Sequence, residues 1–261
     1  HAQQLWSDIE TASRAVDSKS VITNSLNWTS SRIVFPILAP LLQCDEYRYY
    51  INLGIIRSVG GTNNSKELVE DATSTLLTAI RSFQGTPQLD TYAKTVLDIM
   101  RNNVGNEQII TSLWVTLDVI FASGLLASLL PPSSSFASEF LVLCRAELRL
   151  PSSISKLSAS VQMFGHLLTY DISDVRDAAL RMMVFFLGYK YPVIRKLAAE
   201  SLYLQLESCP QIISSKTLDQ EDTLEKAKEI LVSVSWAWNN GFQAGKDSLS
   251  TLIGLKTAAA K

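Results

Sequence analysis

The chain has 261 residues, of which 47% are hydrophobic and 18% are charged, and its formal net charge is −2. This composition predicts a globular protein with a sizeable core, and the lack of a strong basic field argues against duplex nucleic acid or an anionic membrane surface as the main partner. The chain begins neither with methionine nor with a basic segment followed by an apolar core, so we expect a piece of a longer protein without a signal peptide.

Apolar residues recur with the spacing of an α-helix along almost the whole chain, and strict alternation over the length of a strand is rare. We therefore predict an all-α fold, a HEAT/armadillo-like α-solenoid of antiparallel helix pairs joined by short loops. The predicted domains are a divergent or partly disordered segment at 1–29, a helical-repeat domain at 30–240, and a tail at 241–261 that is a short helix or disordered.

Ten helices are predicted from this spacing. They are Ser31–Gln43, Glu46–Val59, Ser65–Ser82, Leu89–Asn102, Glu107–Ser123, Ser134–Leu148, Ser153–Thr169, Asp174–Tyr189, Pro192–Glu207 and Glu221–Trp238. Asn64, followed three residues later by Glu67, predicts a capping box for the third helix. Ser173 is the predicted N-cap of the eighth, and Pro192 suits the first position of the ninth. The longest apolar stretch, 113–130, is interrupted by polar residues, so no membrane span is predicted.

Residues 173–206 contain two similar helical patterns in tandem, opened by Asp174–Arg176 (DVR) and Pro192–Arg195 (PVIR). Tandem patterns of this kind are typical of stacked helical repeats, and hence of a scaffold that binds a partner rather than of a catalytic pocket. In HEAT-type repeats, an arginine near the start of the second helix commonly bonds an aspartate in a neighbouring repeat. We therefore predict that Asp174, Arg176 and Arg195 hold the repeats together, with partner contact as the alternative for the arginines.

No arrangement of residues predicts catalysis. One of the two histidines is the first residue, and the other, His166, lies in an apolar helical stretch that is typical of a structural histidine. Cys44, Cys144 and Cys209 are far apart in sequence, which favours buried, reduced thiols in a cytosolic protein over disulfides or a metal site. Nucleotide-binding and hydrolase motifs are missing from the sequence. We predict no catalytic residue, no metal, no cofactor and no enzyme; an all-helical enzyme with an unrecognised site is the alternative.

A series of short sequence words, in order along the chain, resembles the C-terminal region of tubulin-folding cofactor D. The words are Glu46–Arg48, Leu53-Gly54 with Ser58–Gly61, Asn103 with Asn106-Glu107, Thr116–Asp118, Leu143-Cys144 with Glu147, Asp174–Arg176 and Pro192–Lys196. The helix Ile230–Trp236 resembles the closing helix of that family. The resemblance extends from about Trp28 to Trp238, whereas Ala2–Asn27 and the tail after Asn240 match nothing in it.

The resemblance implies a scaffold that captures β-tubulin and helps to assemble and disassemble αβ-tubulin heterodimers. The implied partners are β-tubulin, tubulin-folding cofactors E and C, and an Arf-like small GTPase, and the implied location is the cytoplasm, in association with the cytoskeleton. The scaffold would contribute to GTPase activation, while the nucleotide belongs to tubulin and the GTPase. The alternative is a HEAT-repeat adaptor or transport scaffold for another protein complex.

Polar groups at loops and helix ends are the predicted partner contacts, because a solenoid displays its function there. They are Tyr47, Arg48, Asn102, Asn103, Asn106 and Glu107. Trp236 and Trp238 are predicted to pack the last helix onto the last repeat, with an exposed recognition patch as the alternative.

Overall fold

The computed structural model describes residues 30–125, 135–170, 172–213, 220–238 and 241–255. Across these ranges the chain forms eleven α-helices and no β-strand, which confirms the predicted all-α fold. No helix within the described ranges is both long enough and apolar enough to cross a membrane. The chain divides into two compact units, residues 1–150 (unit 1) and 151–261 (unit 2). The predicted N-terminal segment, 1–29, lies outside the described residues.

The described residues of unit 1, 30–125 and 135–150, form six α-helices and a short 3₁₀ segment. They are α1 (Ser31–Leu38), the 3₁₀ segment (Ala39–Gln43), α2 (Asp45–Gly60), α3 (Lys66–Phe83), α4 (Pro87–Asn102), α5 (Glu107–Ala122) and α6 (Ser135–Leu148). The central helix is α2, which packs against the 3₁₀ segment, α3, α4 and α5, while α6 packs against α4. Ile55 and Ile56 of α2 and Trp114 of α5 are fully buried. Burial of such large apolar side chains is the main favourable contribution to the stability of the unit.

The first helix is shorter than the sequence predicts. The apolar spacing over Ser31–Gln43 predicts one helix, but α1 ends at Leu38 and the chain continues as a 3₁₀ segment. Pro40 lacks the backbone N–H that an α-helix would donate to the carbonyl of Pro36, so the regular pattern of hydrogen bonds fails at this point. The tighter 3₁₀ turn then carries Leu41 and Leu42 into the core.

Gly60 allows α2 and α5 to approach each other at the end of α2. A Cβ atom at this position would lie 2.3 Å from the carbonyl oxygen of Ser112 and 2.4 Å from its Cα atom. Both contacts are to backbone, which cannot rotate out of the way. Four residues earlier, the hydroxyl of Thr116 lies 3.4 Å from the carbonyl oxygen of Ile56, so the two helices remain close along this contact. A larger residue at Gly60 would force them apart.

The N-terminus of α3 is capped by Ser65 and not by Asn64. The Ser65 hydroxyl accepts a hydrogen bond from the backbone N–H of Leu68 at 3.2 Å. The Asn64 side chain points back toward α2, where its amide nitrogen donates to the carbonyls of Arg57 (2.8 Å) and Ser58 (2.7 Å). The predicted capping box at Asn64 is therefore wrong by one residue, because the side chain satisfies the end of the preceding helix instead.

The part of unit 2 that the structure describes forms five α-helices: α7 (Ile154–Leu168), α8 (Ser173–Leu187), α9 (Pro192–Ser208), α10 (Gln220–Ser233) and α11 (Phe242–Leu252). The first three pack against one another, α10 packs against α9, and α11 packs against α10 and α8. Gly165 of α7 lies against Ser201 of α9, where an added Cβ would be 2.6 Å from the serine hydroxyl oxygen. The tandem patterns of 173–206 thus form two neighbouring helices that share one core.

Two predicted helix boundaries in unit 2 are wrong. Ser173 is the first helical residue of α8 and the N-cap is Ile172, whose side chain makes no capping hydrogen bond. The last predicted helix, Glu221–Trp238, already ends at Ser233, and a turn follows it. Gly241, with φ of 91°, then opens α11 within the predicted tail; this left-handed conformation favours glycine.

Candidate interaction surfaces

Chemically reactive side chains are sparse in the described part of the chain, where no group of three His, Cys, Asp or Glu residues is placed to hold a metal ion. His166 is half-buried on α7. Cys44 is exposed, whereas Cys144 is fully buried, and burial, with a smaller contribution from Glu147, raises the pKa of the Cys144 thiol. The Cys144 thiol is therefore protonated at neutral pH and shielded from solvent.

Two of the predicted partner contacts, Tyr47 and Arg48, lie at the start of α2, and Arg48 makes local contacts there. Its guanidinium donates to the carbonyls of Leu42 (2.8 Å) and Gln43 (2.9 Å) and forms an ion pair with Asp45 (2.7 Å). The Arg48 side chain is only 11% exposed, and it satisfies carbonyls at the end of the 3₁₀ segment. Tyr47 is half-buried beside the same segment.

The other four predicted contacts lie together at the turn between α4 and α5. Asn102 and Glu107 are exposed. Asn103 donates to the carbonyl of Ile99 (2.8 Å) and to the hydroxyl of Tyr49 on α2 (3.3 Å). Asn106 is the N-cap of α5, with its side-chain oxygen 3.3 Å from the backbone nitrogen of Ile109. Two of the four side chains therefore shape the turn, and partner contact by the set stays a prediction.

The hydrogen bond between Tyr49 and Asn103 brings two exposed apolar groups to one corner of unit 1. Tyr50, whose ring packs edge-on against that of Tyr49 at 5.4 Å, is 72% exposed, and Val104 follows Asn103 with about half of its surface exposed. We call Tyr49, Tyr50, Asn103 and Val104 the Tyr49–Asn103 surface. A tyrosine held by its neighbour presents a large amphipathic surface at low conformational cost, which is typical of protein-binding surfaces. Tyr50 is not among the partner contacts predicted from the sequence, because its exposure depends on the packing of α2.

Arg195 of α9 donates several hydrogen bonds to backbone carbonyls of unit 2. It is 1% exposed, and its guanidinium donates to the carbonyls of Trp236 (2.9 Å), Trp238 (3.2 Å), Tyr189 (2.9 Å) and Lys190 (3.3 Å). The guanidinium also lies 4.0 Å from the centre of the Phe242 ring. Arg195 therefore joins the turn between α8 and α9 to the segment between α10 and α11.

The four acceptors named above are backbone carbonyls, and the predicted bond between Arg195 and an aspartate of a neighbouring repeat stays a prediction. Asp174 is exposed and Arg176 is half-buried in the first turn of α8. The stacking role of Asp174, Arg176 and Arg195 stays a prediction. For Arg195, the geometry supports a stabilising role.

The two tryptophans near the end of α10 have different environments. Trp236 is buried, and its indole N–H donates to the carbonyl of Leu231 at 2.8 Å. Trp238 is 74% exposed. Burial favours the predicted packing role for Trp236, and exposure leaves the alternative, a recognition patch, open for Trp238.

A model of the family described as tubulin folding cofactor D C terminal matches residues 3–156 of the chain. This range is more than half of the sequence and includes nearly all of unit 1. The chain belongs to the tubulin-folding cofactor D C-terminal family. No solved structure matches the chain.

The family match changes the extent of the resemblance at both ends. It begins at residue 3, so the reading of Ala2–Asn27 as unrelated to cofactor D is wrong. It ends at residue 156, so α8–α11 lie outside the matched range. The Tyr49–Asn103 surface and the α4–α5 turn lie inside the range that the family model matches, and Arg195 lies outside it.

Proposed function

We propose that the chain is a non-catalytic scaffold that binds β-tubulin during assembly and disassembly of αβ-tubulin heterodimers. Membership of the tubulin-folding cofactor D family carries this proposal, since that membership links the chain to tubulin folding. The proposed co-partners are tubulin-folding cofactors E and C and an Arf-like small GTPase. The chain would contribute to GTPase activation by positioning these proteins, and it would act in the cytoplasm, in association with the cytoskeleton.

We propose that the Tyr49–Asn103 surface of unit 1 contacts tubulin. Tyr50 offers an exposed aromatic group, and Asn103 and the neighbouring Asn102 add hydrogen-bonding groups beside it. Aromatic residues are enriched at the energetic centres of protein interfaces, where they become buried against the partner. This combination suits recognition of a folded protein surface better than binding of a small ligand in a deep pocket.

Retention of purified αβ-tubulin, cofactor E and the Arf-like GTPase by the immobilised chain tests the proposal. We expect tubulin to be retained weakly but measurably. Tyr50→Glu should weaken retention at least tenfold with an unchanged melting temperature, because it places a charge in the proposed contact. Val142→Glu, at a 63% exposed position on α6, is the matched control and should bind like the parent chain. A chain that retains none of these proteins would overturn the proposal.

A further inference from the structure

A row of aromatic side chains crosses the turn between α8 and α9. The ring centres of Phe185 and Tyr189 lie 5.8 Å apart, and those of Tyr189 and Tyr191 lie 5.7 Å apart. The Lys190 ammonium group lies 4.9 Å from the centre of the Tyr191 ring. Phe185 is 46% exposed, Lys190 is exposed, and the two tyrosines are half-buried. We call these four residues the aromatic turn; they lie outside the range that the family model matches.

Arg195 holds a further aromatic residue beside the aromatic turn. Its guanidinium donates to the carbonyls of Tyr189 and Lys190 and also to that of Trp238. The N–H groups of a guanidinium are fixed in one planar fork, so these acceptors lie close together. Trp238 is 74% exposed. Exposed aromatic residues gathered on one surface are typical of a protein-binding site, whereas apolar residues scattered singly are not.

The sequence that forms this surface is positively charged, although the whole chain has a net charge of −2. Residues 178–199 contain no aspartate or glutamate, and neither do residues 230–246. The same two stretches contain five cationic residues: Arg181, Lys190, Arg195, Lys196 and Lys246. Arg195 is buried, and Lys196 pairs with Glu200 at 3.6 Å. The cations left to meet a partner are Arg181, Lys190 and Lys246.

Each of these three cations lies at the aromatic turn. Lys190 belongs to it, and Lys246 of α11 lies against Gly188, where an added Cβ would be 2.8 Å from the lysine Nζ atom. Arg181 is exposed and precedes Phe185 by four residues, which places both on one face of α8. Within the described ranges, none of the three forms an ion pair with a carboxylate.

Two carboxylates flank the three cations without joining the aromatic turn. Asp177 precedes Phe185 by eight residues, which is about 12 Å along α8 at 1.5 Å per residue. Asp247 follows Lys246 in α11, and successive residues of a helix point about 100° apart. The Asp247 carboxylate accepts a hydrogen bond from Gln243 at 3.0 Å. A carboxylate of a partner would therefore meet favourable potential beside exposed aromatic surface.

We propose that the aromatic turn binds an acidic segment of a partner protein. Carboxylates of the segment pair with Arg181, Lys190 and Lys246, and its apolar side chains pack on Phe185 and Trp238. Charge complementarity at the surface itself selects this occupant. A second copy of this chain would bring the same cations together, which disfavours self-association here.

Nucleic acid and membranes fit the same surface less well. Base stacking needs open ring faces, but Lys190 lies over the Tyr191 ring and the rings of the row pack against one another. Three cations are also fewer than the clusters of about four to eight that attract anionic membranes.

Fluorescence anisotropy with two labelled peptides of equal length tests the proposal on the full chain. One peptide has glutamates interspersed with leucine and phenylalanine, and in the other peptide lysines replace the glutamates. The Glu peptide should bind one-to-one and weaken as salt increases, because salt screens ion pairs at a surface. The Lys peptide should bind at least tenfold more weakly. Equal binding of the two peptides would overturn the proposal.

A double substitution tests the charges. Arg181→Gln with Lys190→Gln should weaken binding of the Glu peptide at least fivefold at low salt. The control, Lys66→Gln with Lys94→Gln, removes the same charge from exposed positions of unit 1 and should leave the affinity unchanged. Equal affinity of the two double variants would refute a role for the cations of the aromatic turn.

Substitution of an exposed aromatic residue tests the packing. Trp238→Ser should weaken binding of the Glu peptide at least fivefold at an unchanged melting temperature, because this side chain is exposed in the free chain. Val142→Ser, at another exposed apolar position, is the control and should bind like the parent chain. Unchanged affinity of Trp238→Ser, or tighter binding of oligothymidylate or of phosphatidylserine vesicles than of the Glu peptide, would contradict the proposal. Tubulin retention by the Tyr49–Asn103 surface does not depend on these outcomes.

Discussion

Replacing Arg195 by methionine should destabilise the chain by about 3 kcal/mol. The bond from Nε to the buried carbonyl of Trp236 is the largest contribution, since a hydrogen bond to a charged group is worth about 1.5–3 kcal/mol. The carbonyls of Tyr189, Lys190 and Trp238 lie nearer to solvent, and water can replace part of their bonding. Loss of the contact with the Phe242 ring adds about 0.5–1 kcal/mol. Methionine retains an apolar stem, so the loss reports mainly the guanidinium.

Urea unfolding followed by circular dichroism measures this loss, and thermal unfolding should show a melting temperature lower by about 6–12 °C for a chain of this size. Arg195→Lys should recover only part of the stability, because one ammonium group cannot reproduce the planar fork that reaches four carbonyls. Arg181→Met on the exposed side of α8 is the matched control and should change stability by less than about 0.5 kcal/mol. A stability change below 0.5 kcal/mol for Arg195→Met, or lost tubulin binding at an unchanged melting temperature, would refute the stabilising role.

Three further predictions concern unit 1. Gly60→Ala should lower the free energy of unfolding by about 1–3 kcal/mol, because the added Cβ clashes with the α5 backbone. At Gly54 an added Cβ meets nothing within 4 Å, so Gly54→Ala should raise the free energy of unfolding by about 0.5–1 kcal/mol. Urea unfolding compares the two variants, and equal effects would contradict the close approach of α2 and α5. A disulfide reagent at pH 8 should modify Cys44 rapidly and Cys144 only after unfolding, because burial raises the pKa of the Cys144 thiol and blocks the reagent. Rapid labelling of both thiols in the folded chain would show that the core around Cys144 is accessible to solvent. Asn106→Ala should lower the free energy of unfolding by about 1 kcal/mol, whereas Asn106→Asp should leave it nearly unchanged, since either Asn or Asp can cap α5. A tubulin-binding defect in Asn106→Asp at unchanged stability would identify this side chain as a partner contact.

Helical periodicity was sufficient to predict the fold class, because each apolar stripe needs only local spacing to be recognised. Proline at the first position of α9 marks its start correctly in the sequence. The same spacing did not predict the end of α1, where a missing backbone N–H outweighs the apolar pattern. At α3, Asn64 and Ser65 are both good caps, and which one serves depends on the carbonyls at the end of α2.

Candidate surfaces were harder to predict, since they depend on contacts between residues that are distant in sequence. Asn103 meets Tyr49 across 54 residues, and Arg195 meets Trp236 across 41. The repeat pattern predicts that Arg195 holds neighbouring repeats together, but the sequence does not reveal that its guanidinium reaches two backbone carbonyls of the segment after α10. The sequence likewise does not reveal the local bonds of Arg48 to the carbonyls of Leu42 and Gln43, and its contact with a partner stays a prediction.

Site-specific crosslinking most directly tests the claim that this chain is a tubulin-binding scaffold. A photoreactive phenylalanine analogue would replace Tyr50, in the Tyr49–Asn103 surface, and in a control chain it would replace Val142. Each chain would be irradiated with purified αβ-tubulin, and mass spectrometry would identify the crosslinked peptides. We predict crosslinks from position 50 to β-tubulin and few from position 142. Crosslinks of equal yield from both positions, or none from position 50 while tubulin is bound, would contradict it.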